Sequence, residues 1–291
     1  MRVSLIVATR GRSAELATLF DSLLAQAVTP IEVIVVDQNP DDRLLPVLDD
    51  YRARLAPRHL RSQIANANNA RNLGLRHATG AIVCFPDDDC WLPDGVLARV
   101  LATFDADPAL QVLAGPAASP EGGLGSGRWR EEGGAITLKN VWTSVIEFNL
   151  FLRRETALRL GGFDEGLGPG SPFGSAEGND LVARAIKAGL ACRYDPALRI
   201  VHPDKRLTQV AVARAGVYGA GLGVALRRHA PGIATWAPFF IRPLGGALLS
   251  AARLKGLEMR YYLATLQGRV RGFMATQAVR ATPPAPLLPA P

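Results

Sequence analysis

Apolar positions in the first part of the chain fall in short runs separated by amphipathic stretches. Residues 3–8 (VSLIVA) suit a strand, and residues 13–27 repeat apolar positions at helical spacing behind Ser13, an N-cap candidate. Residues 31–37 (IEVIVVD) are apolar almost throughout. A strand apolar on both faces belongs in a parallel sheet covered by helices on either side. The pattern further predicts a helix over 41–54, a weaker strand at 60–64, a helix over 66–77, a strand at 81–85, a helix over 94–105 and a strand at 110–115. Strand and helix in alternation predict an α/β doubly wound sheet. Ligands of such sheets sit beyond the carboxyl ends of the strands. Thr9, Asp37 and the run Asp87, Asp88, Asp89 all fall at such ends.

Beyond this the pattern changes. Residues 117–134 are rich in Gly and Ser and predict a loop, and a second α/β stretch runs to about His202. Residues 211–229 read as a helix interrupted by glycines. The apolar run 236–252 carries Arg242 and Pro243 near its middle and is shorter than the ~20 residues of a spanning helix. The tail, ATPPAPLLPAP, is Pro-rich and expected to be disordered. The expected organisation is a catalytic domain over 1–204, in halves 1–116 and 135–204, a helical basic extension over 205–275, and a tail over 276–291.

Length and composition sharpen this picture. The 291 residues suffice for one large α/β domain with a sizeable core, and 48% hydrophobic against 20% charged residues is a globular balance. Cys84, Cys90 and Cys192 form no CxxC pair, which suggests reduced thiols and a cytoplasmic setting. The start, MRVSLIVATRGR, lacks the long apolar stretch of a signal peptide. The net charge of +7 is unevenly placed: from Lys205 onward there are twelve Lys and Arg against one acid, Glu258. That asymmetry points to an anionic partner for the C-terminal part. No aromatic stacking motif accompanies the bases, so nucleic acid is not expected.

The three aspartates carry the strongest chemical signal. Adjacent carboxylates repel, and a hard divalent cation such as Mn²⁺ or Mg²⁺ relieves the conflict. The alternative is a solvated acidic loop, which the position at a strand end disfavours. Asp37 is placed to accept hydrogen bonds from a base or ribose, or to cap the next helix, a role Asp41 fits equally. Arg71, in the first turns of a helix, offers a planar donor fork for a diphosphate, or is an ordinary surface arginine.

VSLIVATRGR, IEVIVVDQNPDD, NNARNLGLRHATGAIVCFPDDDCWLPDG and FLRRETALRLGGFDEGLG with SAEGNDLVARAIKAG resemble, in order, the motifs of family-2 glycosyltransferases of GT-A fold. The resemblance covers residues 2 to about 203. It implies a GT-A domain, Rossmann-like, with a mostly parallel sheet and helices on both faces, plus the C-terminal helical extension. It also implies a nucleotide-sugar donor and a divalent metal. By matching position, Thr9, Arg12, Asp37, Arg71, Asp87 and Asp88 lie on the nucleotide-sugar side. Asp89 leads as metal ligand with Asp87, and Asp88 is a rival because three acids leave the register open. His202 resembles a histidine near the metal or diphosphate, or is a satisfied histidine at a strand end. Asp164 and Trp91 are expected on the acceptor side.

One departure stands out. The family commonly has Glu-Asp followed two residues later by another acid, and the Asp of that pair is its base. Here Gly178 occupies that place, leaving Glu177 and Asp180 as catalytic candidates, with helix capping as the alternative for both. The expectation is a metal-dependent, inverting transfer of a hexosyl or deoxyhexosyl group to a glycan or lipid-linked acceptor. The basic extension would rest on an anionic membrane surface at the cytoplasmic face. Rival readings are phosphotransfer, sugar nucleotidyl transfer or a non-catalytic nucleotide-sugar or nucleic-acid binder. A dinucleotide oxidoreductase would need a GxGxxG that is missing.

Overall fold

The computed structural model describes residues 2–28, 30–275 and 284–290. The first half builds β1 (Val3–Thr9), α1 (Ala14–Leu24), β2 (Ile31–Asp37), α2 (Leu45–Leu55), β3 (Arg58–Arg61), α3 (Ala67–His77), β4 (Ile82–Cys84), α4 (Val96–Ala106) and β5 (Leu110–Ala114). Short strands β6 (Ala117–Ala118) and β7 (Gly134–Ala135) interrupt the expected loop. Next come β8 (Leu150–Arg153), α5 (Arg154–Arg159), α6 (Glu177–Lys187), β9 (Ala191–Tyr194) and β10 (Ile200–Val201). The extension is helical: α7 (Gln209–His229), α8 (Ile233–Trp236), α9 (Pro238–Ala252) and α10 (Gly256–Met274).

The main sheet runs β3-β2-β1-β4-β8-β5-β9-β7, with β6 and β10 forming a separate parallel pair. β3, β2, β1 and β4 are parallel, as the apolar runs predict. β8 lies antiparallel between β4 and β5. Its position comes from the excursion over residues 115–149, which returns the chain from the opposite direction. Alternate side chains fill two cores: Val3, Leu5 and Val7 pack under α1 and α4, while Ile6, Ile34 and Val36 pack on the α3, α5 and α6 side. Parallel pairing in register puts Thr9 opposite Asp37 at the carboxyl ends.

Several local expectations shift. α2 begins after Leu44, not at 41, and Asp41 instead holds Arg43. Ser13 precedes α1 without a side-chain capping bond. α3 is capped as predicted, Asn66 accepting from the amides of Asn68 and Asn69.

The glycines of α7 have a packing reason. A methyl at Gly219 would sit 2.6 Å from the Thr265 carbonyl oxygen, and one at Gly272 would sit 1.9 Å from that of Ala220. α7 and α10 thus cross backbone to backbone. α7 is long and apolar enough to cross a membrane by length and composition, yet here it packs on α10 and α6. The apolar run 236–252 divides between α8 and α9. Its aromatics turn partly inward: Trp236, Phe240 and Phe273 cluster with ring centroids 5.1–5.7 Å apart, and Phe239 meets Trp142 at 6.4 Å. Ile241, Leu244, Leu248 and Leu249 are the large aliphatic residues that α9 leaves exposed.

Against the expectation of a disordered tail, residues 284–290 dock on the body. The Leu287 amide donates to the Leu158 carbonyl at 2.9 Å, the Ala290 amide to that of Arg76 at 2.7 Å, and the Leu287 side chain joins the core. The extended Pro-rich segment has neither helix nor ladder to satisfy its amides and finds partners on α3 and α5. The rest of the expected tail, 276–283 and Pro291, lies outside the described residues.

Candidate functional site

The loop after β4 spreads its three aspartates in different directions. Asp88 turns inward: its Oδ2 accepts from Thr9 Oγ1 at 2.6 Å, and its Oδ1 pairs with Arg12 at 2.5 Å. Burial raises its pKa, with Thr9 and Arg12 opposing the rise. Asp87 and Asp89 flank it. Asp89 Oδ2 lies 2.8 Å from Arg12 Nη1, while Oδ1 is buried with no hydrogen-bond partner and lies 3.5 Å from His202 Nε2. Ligand atoms of Asp87, Asp89, Cys90 and His202 all fall within 4.8 Å of one another. Sequence left the register of three acids open; the fold groups Asp87, Asp89 and His202 and sets Asp88 apart.

His202 reaches this cluster because Trp91 and Val201 exchange backbone hydrogen bonds, both 3.0 Å, which tie the acidic loop to the end of β10. The His202 Nδ1–H donates to the Pro203 carbonyl at 2.7 Å, which leaves Nε2 as the ring nitrogen that faces Asp89. Its ring stacks on Phe148, centroids 5.0 Å apart and 15° from parallel. Two carboxylates, one of them with an orphaned buried oxygen, and an imidazole suit a borderline-hard divalent cation. Cys90 fits less well: burial first, then Asp87 and Asp89, push its thiol well above the ordinary value, so it stays protonated.

Arg71 is no surface arginine. Only 3% exposed, it donates to Asp87 at 2.9 Å and, from its other nitrogen, to Glu177 at 3.1 Å and Asn68 at 3.0 Å. It therefore joins the metal-side loop to the start of α6. Glu177 is enclosed: a methyl at Gly168 would lie 2.9 Å from its carboxyl carbon. Burial and the nearby Glu147 push its pKa to about 8, offset only in part by Arg71.

Asp180 and Asp164 meet cations from elsewhere. Asp180 accepts from Arg184 at 2.9 Å, His229 at 2.9 Å and Arg228 at 3.1 Å, and Arg228 also reaches Asp164 at 2.7 Å. Burial works to raise the Asp180 pKa, but the His229 hydrogen bond and the Arg184 and His229 charges hold it below the carboxylate range. These two acids thereby fasten the end of α7 to the α/β body. Arg228 and His229 carry no sequence signal for this, because α7 enters the pattern only as a glycine-broken apolar stretch.

Asp37 is 1% exposed at the end of β2. Its Oδ1 accepts from the Asn39 amide and side chain, both 2.8 Å, and its Oδ2 lies 3.0 Å from His59 Nε2. Sequence reading missed His59 and Asn39, which sit between Asp37 and solvent. It also missed Asn68 and Glu147, neither of which stands in a spacing that marks it as chemical.

The family model described as Glycosyl transferase family 2 matches residues 4–157. An uncharacterized glycosyltransferase of Nostoc sp. is 30% identical over 118 residues, 39% of this chain and 36% of that one. The chain spans only 19% to 38% of the length of the curated relatives it matches. Among solved structures, Staphylococcus aureus TarS 1-349 in complex with UDP-GlcNAc superposes with a TM-score of 0.62 at 18% identity, over 95% of this chain and 92% of that one. The mannosyltransferase PcManGT of Pyrobaculum calidifontis, in complex with GDP-Man and Mn²⁺, gives 0.64 at 19% identity, over 94% and 87%. These likenesses establish the fold, in agreement with the expected GT-A class.

Proposed function

The chain belongs to glycosyl transferase family 2, and from that premise we propose that it transfers a sugar from a nucleoside diphosphate sugar to a hydroxyl of a glycan or lipid-linked acceptor, with a divalent metal and inversion at the anomeric carbon. The observation that carries this reading is the buried, unpartnered Oδ1 of Asp89, gathered with Asp87 and the Nε2 of His202. The two structural neighbours, with UDP-GlcNAc in one and GDP-Man with Mn²⁺ in the other, support a nucleotide-sugar donor and a metal. When bound, Mn²⁺ or Mg²⁺ supplies charge neutralisation for the leaving diphosphate.

The chain's own groups divide the remaining work. Asp87, Asp89 and His202 hold the cation. Thr9 and Arg12 fix Asp88, which keeps the loop in register, and Arg12, half-exposed beside it, turns toward diphosphate oxygens once the acids are otherwise engaged. Asp37, held by Asn39 and His59, orients the nucleotide base at the end of β2. Arg71 positions Asp87, and Glu177 holds Arg71 in turn. Asp180 and Asp164 position α7, and Trp91 lines the acceptor approach. The transferred group is a hexosyl or deoxyhexosyl unit.

Calorimetry with UDP-GlcNAc and GDP-mannose tests this reading. Binding of at least one donor class should appear with Mn²⁺ and vanish in EDTA; binding unchanged by EDTA removes the metal's role.

A second reading, peripheral contact with an anionic bilayer at the cytoplasmic face, is favoured by one surface. Ile241, Leu244, Leu248 and Leu249 project from α9 with Arg242 and Arg253 on the same helix or at its end. Aliphatic side chains enter the headgroup boundary while guanidinium groups stay at phosphates. Such contact would bring a lipid-linked acceptor to the site.

A further inference from the structure

Transfer to a hydroxyl requires a group to take its proton, and most acids around the metal cluster are already committed. Asp87 and Glu177 bind Arg71, Asp88 and Asp89 bind Arg12, Asp164 binds Arg228, and Asp180 faces Arg184, Arg228 and His229. Glu165 accepts from Asn69 at 3.0 Å and Asn72 at 3.1 Å. Glu147 differs. It is half-buried and, among the described residues, makes no side-chain hydrogen bond or ion pair.

Its place is well defined. Glu147 opens a 3-10 turn, Glu147–Asn149, whose Phe148 stacks on His202. Its backbone lies against Gly178: a methyl there would come 3.3 Å from the Glu147 amide nitrogen and Cα. Glycine at 178 thus leaves the first turn of α6 without an acid at that place and lets the neighbouring chain approach with one. The charge of Glu147 is felt at Arg71, Glu177 and Tyr218, and Tyr218 also feels Glu177 and Asp87. Arg71 joins Glu177 to Asp87 of the metal cluster, and Phe148, next to Glu147, stacks on His202 of the same cluster.

We propose that Glu147 is the catalytic base, taking the acceptor proton from the 3-10 turn that packs on Gly178. This inference rests on the glycosyltransferase reading above. The acceptor oxygen attacks the anomeric carbon as the carbon–oxygen bond to the diphosphate breaks. The bonding pair departs on the β-phosphate oxygen, and the hydroxyl proton passes to the Glu147 carboxylate. A half-buried, unpaired carboxylate can meet an incoming hydroxyl. Glu177, closed in by Gly168, Asn68 and Arg71, cannot.

The test uses water as the acceptor and tracks nucleoside diphosphate release from UDP-GlcNAc and GDP-mannose with Mn²⁺. Glu147→Gln should lower turnover at least ~100-fold, the scale for losing a general base, with nucleoside diphosphate affinity unchanged. Azide carries no proton and needs no base, so it should restore diphosphate release to Glu147→Ala and yield a glycosyl azide of inverted configuration. Near-normal turnover in Glu147→Gln, loss of nucleotide affinity along with turnover, or no response of Glu147→Ala to azide each overturns the proposal. If the unaltered protein releases diphosphate from neither donor, the transferase reading itself fails and takes this inference with it, an outcome visible before any variant is made.

Discussion

Two sets of acids that the sequence offers as site residues behave in opposite ways. Asp87, Asp88 and Asp89 come after β4 and keep coordinating capacity in hand: Asp89 Oδ1 is buried without a hydrogen-bond partner, 3.5 Å from the Nε2 of His202. Asp164 and Asp180 are saturated by Arg184, Arg228 and His229. A buried carboxylate ringed by cations has its charge compensated and serves as an anchor. One left short of partners at a strand end is held for something that arrives later. The contrast recurs between Glu177, bound to Arg71, and Glu147, with no side-chain partner among the described residues.

The largest effect should come from Asp89→Ala. Turnover should fall to background while the chain stays folded, because the residue sits on a loop outside both cores. Thermal melts make the comparison direct: Mn²⁺ with nucleoside diphosphate should raise the Tm of the unaltered protein and leave that of Asp89→Ala unmoved. An equal rise in both would erase the distinction between the two clusters.

The second cluster should respond in stability instead. Asp180→Asn leaves Arg184 and Arg228 poorly compensated and should cost about 3–5 kcal/mol, the range for breaking a buried pair, read by urea denaturation. The pH dependence has a definite sign. The folded-state pKa of Asp180 is depressed, so its stabilisation is complete above the unfolded value of about 3.9 and is lost as pH falls from there toward the folded value. Melts from pH 6 downward should therefore show a decline in the unaltered protein that is shallower in Asp180→Asn. Identical declines would show that the cluster contributes nothing through its charge.

The smallest effect concerns the far side of the extension that this cluster fastens. Leu244→Asp with Leu248→Asp should leave donor binding and melting nearly unchanged, since both side chains are exposed, and should weaken flotation with vesicles rich in anionic lipid. If the unaltered protein floats with no vesicles at low salt, the bilayer reading of α9 is wrong.

The parallel half of the sheet and its site-bearing ends were legible in the linear order of residues. Val, Ile and Leu runs bounded by turns specify β1, β2 and β4 locally, and the residues just after such a strand must lie at its carboxyl end. That places Thr9, Asp37 and the three aspartates without any tertiary contact. Asn66 likewise caps α3 through its own next turn. Other features were decided by tertiary structure alone, because they depend on residues far apart in the chain. Asp88 became the inward member of its triplet because Thr9 and Arg12 meet it there. β8 entered the sheet antiparallel, and the tail found amide partners on α3 and α5. Asp180 drew its cations from α7, and Gly178 gained its meaning from the backbone of Glu147. Propensity and periodicity act over a few residues, whereas the partner that neutralises a carboxylate or fills the place beside a glycine arrives from across the fold. The chemistry of an acid is therefore set by that partner as much as by the residue itself.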